Sequence, residues 1–151
     1  MHQTRVAVFI HATWATWDRL PLLVGEVEQR VHRAIGAKCD EPGVNLVALG
    51  GVEDHVHILI RLPASISLAD VIGQVKGASA HLITHEVTHS ASISNGRAAM
   101  VLFSVSARNV QQACNYINNQ REHHRLGTIY QALEPVDKLG ISEETEDSYA
   151  F

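Results

Sequence analysis

Two groups of residues in this chain have the types and spacing for chemistry. His55 and His57 stand one residue apart in the run Asp54-His55-Val56-His57-Ile58-Leu59-Ile60. In a strand, side chains alternate between faces, so His55, His57, Leu59 and Arg61 share one face and Val56, Ile58 and Ile60 the other. Two neighbouring imidazoles make half of a site for a divalent ion. The plainer alternative is two polar residues on a solvated sheet face. The second group is Tyr116-Ile117-Asn118-Asn119-Gln120-Arg121-Glu122-His123-His124. On a helix, Val110, Ala113, Cys114 and Ile117 form an apolar stripe, Tyr116, Gln120 and His123 a second stripe beside it, and His124 falls between the two. Gln120 can offer a carbonyl oxygen to a metal, and Tyr116 a nucleophile. The alternative here is a half-buried tyrosine with a solvated polar flank.

A third pattern competes with these. His85-Glu86-Val87-Thr88-His89 is His-Glu-x-x-His, the zinc-peptidase motif, and His81 extends its row by one turn. It falls at the end of a helical segment, and no further ligand follows at the spacing such enzymes use. Solvated histidines at a helix C-terminus account for it, since the helix dipole favours them when protonated.

The elements that must position these residues read in order. Arg5 to Trp14 is rich in β-branched and aromatic residues and predicts a first strand. Pro21 opens a helix over about Leu22 to Lys38, with Leu23, Val27, Val31, Ala34 and Ile35 at helical spacing. Glu41-Pro42-Gly43 ends it. Val44 to Gly50 and His55 to Arg61 form a hairpin. Ser67, with Asp70 three residues on, caps a second helix that runs to about Glu86. Ser90 to Arg97 reads as a loop and Ala98 to Val105 as a fourth strand. Ser106 then caps a third helix from Ala107 to about Arg125, which Gly127 stops.

The order β-α-β-β-α-β plus a helix predicts an α+β, ferredoxin-like split βαβ fold. Two helices cover one face of its antiparallel sheet, and only the tyrosine-bearing C-terminal helix is left to cover the histidine face. A chain of 151 residues suits one domain over residues 1–127. Residues 128–151 then form an acidic tail, expected to be partly disordered, with Glu143, Glu144, Glu146 and Asp147 clustered in it.

Composition narrows the class. With 46% apolar and 19% charged residues the chain is of globular type, and no apolar run is long enough to cross a membrane. Cys39 and Cys114 fit no metal or redox spacing, which with the absence of a signal-like N-terminus points to a reducing, cytoplasmic setting. The net charge of −4 does not advertise nucleic-acid binding, but its acid is concentrated in the tail.

Taken in order and spacing, Asp54-His55-Val56-His57-Ile58-Leu59, Lys76-Gly77-Ala78-Ser79, Phe103-Ser104-Val105-Ser106 and Tyr116-Ile117-Asn118-Asn119-Gln120 with His123-His124 resemble one family. It is the single-tyrosine HUH transposases of the insertion-sequence IS-two-hundred type, in particular the REP-associated tyrosine transposases. The resemblance covers roughly Arg5 to Arg125. It departs at Ser94 to Met100, where close relatives carry aromatic residues.

The resemblance implies cleavage and rejoining of single-stranded DNA, with hairpin-bearing DNA as partner. Tyr116 would be the nucleophile, and His55, His57 and Gln120 the ligands of magnesium or manganese. A homodimer is compatible with it, Tyr116 serving its own or a partner's site. Candidates for phosphate contact are Arg19, Arg61, Lys76, Arg108, Arg121 and Arg125, and His123 and His124 lie at the site's edge. Outside this family, a zinc peptidase on His85, Glu86 and His89 remains, as does a non-catalytic nucleic-acid-binding module on the same sheet.

Overall fold

The computed structural model describes residues 3–88 and 100–135, with the side chains of 86–88 left aside. Four strands form one antiparallel sheet: β1 (Val8–Ala15), β2 (Asn45–Val52), β3 (His55–Leu62) and β4 (Met100–Val105), in the order β2-β3-β1-β4. With helices α1 (Gly25–Asp40) and α2 (Leu68–Leu82) between them, this is the expected α+β split βαβ arrangement.

Strand alternation decides which face each residue takes. Ile10, Ala12 and Trp14 of β1 and Val56, Ile58 and Ile60 of β3 bury against Val31, Ile35 and Cys39 of α1 and Val71, Ile72 and Val75 of α2. Ile58 is fully buried there, and cutting such a side chain to alanine costs about 2–5 kcal/mol. His11, Thr13, His55, His57 and Leu59 therefore point to the other face, where Thr13 pairs with His57 and His11 with Leu59 across the β1–β3 ladder.

Helix α3 (Val110–Asn118) covers that face. Its Ile117 packs on Ala48 and Leu59 to form a second, smaller core. The approach is close because Gly50 is bare: a Cβ there would stand 2.1 Å from the Ile117 carbonyl oxygen.

Several boundaries differ from the sequence reading. The first helix starts at Gly25, not Pro21, since Leu23 is held extended by a hydrogen bond to Glu53 O at 2.8 Å. The hairpin turn is only Glu53-Asp54, so β2 runs on through Val52. Ser67 caps α2 by accepting from Asp70 N, but α2 ends at Leu82 and passes into a π-helical stretch, Ile83–Thr88.

The expected third helix is interrupted. A 3-10 turn, Ala107–Asn109, precedes α3, and Asn119 (φ −109°, ψ 26°) separates α3 from α4 (Gln120–Leu126). Its side-chain amide donates to Asn115 O at 2.8 Å, beside its backbone N–H, which keeps the helical bond to the same oxygen at 3.2 Å. Gly127, at φ 69°, then ends α4. The expected loop at 90–97, His89 and everything after Pro135 lie outside the described residues.

Candidate functional site

The site is built on the β1–β3 ladder. His55 and His57 are both fully buried, so the solvated-face alternative does not hold for them. His55 Nδ1 bonds Asp54 Oδ1 at 2.7 Å, and Asp54 Oδ2 accepts from Arg19 Nε at 3.0 Å. This chain of contacts fixes the ring and aims Nε2 inward. His57 Nδ1 lies 2.9 Å from both His11 Nε2 and Thr13 Oγ1. The Thr13 hydroxyl can donate or accept, so it satisfies either tautomer of His57.

Tyr116 comes from the last turn of α3 and Gln120 from the first of α4, one on each side of Asn119. Both are buried. The Tyr116 ring meets His57 edge-on, at 5.8 Å between centroids. Gln120 Nε2 donates to Tyr116 O at 3.2 Å, which leaves Gln120 Oε1 buried without a partner. The structure thus brings Tyr116, His55 and His57 together, with Gln120 buried one helical turn on from Tyr116.

The residue that ties the cluster together is one the sequence reading placed in the tail. Glu134 is 4% exposed. It follows a 3-10 turn, Gln131–Leu133, that returns the chain to the sheet. Its Oε1 accepts from the Tyr116 hydroxyl at 2.5 Å and lies 3.6 Å from His57 Nε2. Its Oε2 lies 3.0 Å from His55 Nε2 and 3.3 Å from His124 Nε2. His123, expected on the Tyr116 stripe, turns to Thr128 Oγ1 at 2.9 Å, while its ring still stacks 4.8 Å from Tyr116. Of the two, His124 is the one that reaches Glu134.

Burial alone would discharge these groups, and their partners decide otherwise. Desolvation pushes Glu134 up, but His55, His57 and Tyr116 outweigh it and hold the carboxyl well below its usual range. Desolvation likewise opposes a charge on His55, yet Asp54 and Glu134 raise it to about 8. His57 is lowered, chiefly by burial. His11 is driven to about 4 by burial and by His57, so it is neutral at pH 7. Tyr116 is pushed up to about 12 by burial and by the Glu134 carboxylate.

His11 and Glu134 were both missed in the sequence. His11 had a signal, because it shares alternation parity with Thr13 on the predicted first strand. Glu134 had none: it is one acid among several beyond Gly127.

The cationic candidates are scattered. Arg19 is engaged with Asp54 and Pro135 O. Arg61 donates to Val6 O at 2.7 Å, Arg121 pairs with Glu28 and Arg125 with Glu122. Lys76 sits on α2, on the other face of the sheet. Arg108 is exposed between Ser106 and Asn109, which line a cleft of about 560 Å3. That cleft opens beside Tyr116 and is walled by His11, Phe103, Tyr130 and Leu133.

Of the peptidase motif, His85 is exposed and stacks on His81 at 4.2 Å, remote from the sheet cluster. No helix among the described residues is long and apolar enough to cross a membrane.

Comparison with known proteins agrees with this architecture. No curated protein matches the chain. A candidate transposase from Deinococcus radiodurans R1 shares 28% identity and a TM-score of 0.60, covering 80% of this chain and 98% of its own. The REP-associated tyrosine transposase bound to a REP hairpin superposes with a TM-score of 0.60 at 15% identity, covering 87% of this chain and 78% of its own, a likeness of fold. The profile described as "Transposase IS200 like" matches residues 4–120, from before β1 to Gln120. The chain therefore belongs to the IS200-like transposase family, proteins of DNA transposition.

Proposed function

We propose that this chain cleaves and rejoins single-stranded DNA by attack of Tyr116 on a backbone phosphate. The observation that carries the reading is the Tyr116 ring set edge-on against His57, with the Nε2 atoms of His55 and His57 and Gln120 Oε1 all buried without a partner.

His55, His57 and Gln120 would hold a divalent ion. The donor set fits: both Nε2 atoms and Oε1 are buried without hydrogen-bonded partners, and both Nδ1 atoms are braced from behind. Imidazole and amide oxygen suit manganese better than magnesium. When bound, the ion supplies Lewis-acid polarisation of the scissile phosphate.

The chain's own residues do the rest. The Tyr116 oxygen forms a bond to phosphorus, and the bond to the 3′ oxygen breaks. The departing oxygen keeps the electron pair and takes up a proton as a 3′-hydroxyl. A 5′-phosphotyrosyl enzyme remains, and the reverse attack by a 3′-hydroxyl rejoins the strand. The phenol proton has an acceptor already in contact, Glu134 Oε1. Tyr116 lies beside His57 of its own chain, which supports attack in cis.

The partner in this reading is single-stranded DNA with a hairpin; the superposed REP-associated tyrosine transposase is bound to a REP hairpin. The cleft beside Tyr116, with Phe103 and Tyr130 on its walls, offers aromatic surface on which bases stack. The test is incubation with labelled single-stranded hairpin DNA and manganese. The reading expects a covalent protein–DNA band that survives denaturation. No band with manganese or magnesium would contradict it.

A further inference from the structure

We infer that His124 and Glu134 are ligands of the ion that His55 holds, so that in the absence of DNA the chain closes a two-histidine, one-carboxylate site selective for a first-row transition ion over magnesium. This deepens the reading above and rests on it only for His55.

Three observations carry it. His55, His124 and Glu134 each offer one ligand atom, and these atoms lie within 4.8 Å of one another. His55 Nε2, His124 Nε2 and Glu134 Oε2 are all buried without a hydrogen bond, although Oε2 stands 3.0 and 3.3 Å from the two nitrogens. The three atoms therefore stand close together in a buried place, each without a hydrogen bond of its own. Donors about 2.1 Å from a tetrahedral ion are themselves about 3.4 Å apart, close to the 3.0 and 3.3 Å that separate Glu134 Oε2 from the two nitrogens.

The supports are also in place. Asp54 braces His55 from behind at 2.7 Å, as a carboxylate braces a metal-bound histidine. The two oxygens of Glu134 divide their work: Oε1 takes the Tyr116 hydroxyl, and Oε2 is left for the ion. The Tyr130 backbone N–H donates to the Tyr116 oxygen at 3.1 Å, which anchors the segment that carries Glu134. Two imidazoles and one carboxylate suit manganese, cobalt or zinc. Magnesium prefers oxygen ligands and keeps its waters, so it gains little from them.

The test uses the full metal-stripped chain and cobalt(II), zinc(II) or magnesium(II) alone. Cobalt should give a visible absorption of low coordination number that zinc displaces and magnesium does not. His124→Gln and Glu134→Gln should each weaken cobalt binding roughly 10–100-fold. His81→Ala should leave it unchanged. His124 is partly exposed, so its variant reports even if the Glu134 variant folds poorly. Cobalt affinity and spectrum equal to wild type in the His124 variant would overturn the inference. The adduct assay above, run in parallel, keeps the two readings apart. An adduct without any effect of His124 defeats only this inference; a His124-dependent cobalt spectrum without an adduct defeats only the nuclease reading.

Discussion

The Tyr116 hydroxyl donates a 2.5 Å hydrogen bond to Glu134 Oε1, across eighteen residues of chain. A carboxylate at that distance holds the phenol in its protonated form, because ionising it would set two negative charges side by side in a buried place. Tyr116 is accordingly pushed from 10.0 up to about 12. In metal-free protein, one tyrosine should titrate near that value in a pH series of ultraviolet absorbance, and Tyr116→Phe should remove that step. Glu134→Gln should draw it down by about one unit. The sign for stability follows. Between pH 10 and about 12 the unfolded chain has lost a proton that the folded chain keeps, so stability falls as pH rises through that window. A Tyr116 that ionises at its ordinary pH would contradict the contact.

Gly50 sets the distance between the sheet and the tyrosine helix. Gly50→Ala brings a Cβ to 2.1 Å from the Ile117 carbonyl oxygen, a backbone atom that moves only if α3 moves. The substitution should cost roughly 1–3 kcal/mol in denaturant unfolding. It should also reduce adduct formation more than its loss of stability accounts for. Gly73→Ala, where nothing stands within 4 Å, is the control and should be neutral or slightly stabilising. Equal behaviour of the two variants would show that α3 does not depend on that contact.

His11 braces His57 at 2.9 Å and is 2% exposed. His11→Phe keeps a ring in the space and removes the nitrogen that meets His57 Nδ1. Thr13 remains as a second partner, so the loss should be partial. Manganese affinity should fall roughly tenfold by calorimetry, with the melting temperature little changed. Affinity equal to wild type would mean that Thr13 alone orients His57.

The His-Glu-x-x-His pattern is expected to be without function. His85 is exposed and meets only His81 among the rings described. His85→Ala should therefore retain DNA adduct formation within about twofold, as a surface substitution does. A metal-dependent peptidase activity present in the wild type and lost in this variant would reverse that assignment.

Much of this was legible in the sequence, and for physical reasons. The parity of Val56, Ile58 and Ile60 against His55 and His57 assigned each to the correct face, because the strand period is exactly two in any register. The element order gave the sheet topology, since few arrangements of those elements bury a common core. The helix interruption was not legible: it lies in the backbone angles of Asn119 (φ −109°, ψ 26°), which no residue type or spacing around it announces. Glu134 was the larger omission. An isolated carboxylate after a glycine stop carries no periodicity, and its role depends on a chain reversal at Gln131–Leu133 that local sequence does not announce.

The central claim is that Tyr116 forms the covalent bond to DNA. The direct measurement is mass spectrometry of a digested adduct trapped with single-stranded hairpin DNA and manganese, in the wild type and in Tyr116→Phe. That substitution removes one oxygen and little packing, so the fold should survive. The account predicts a nucleotide mass on the peptide that contains Tyr116, and no adduct from the variant despite retained binding of metal and DNA. A nucleotide on Tyr130, or full cleavage by Tyr116→Phe, would contradict it.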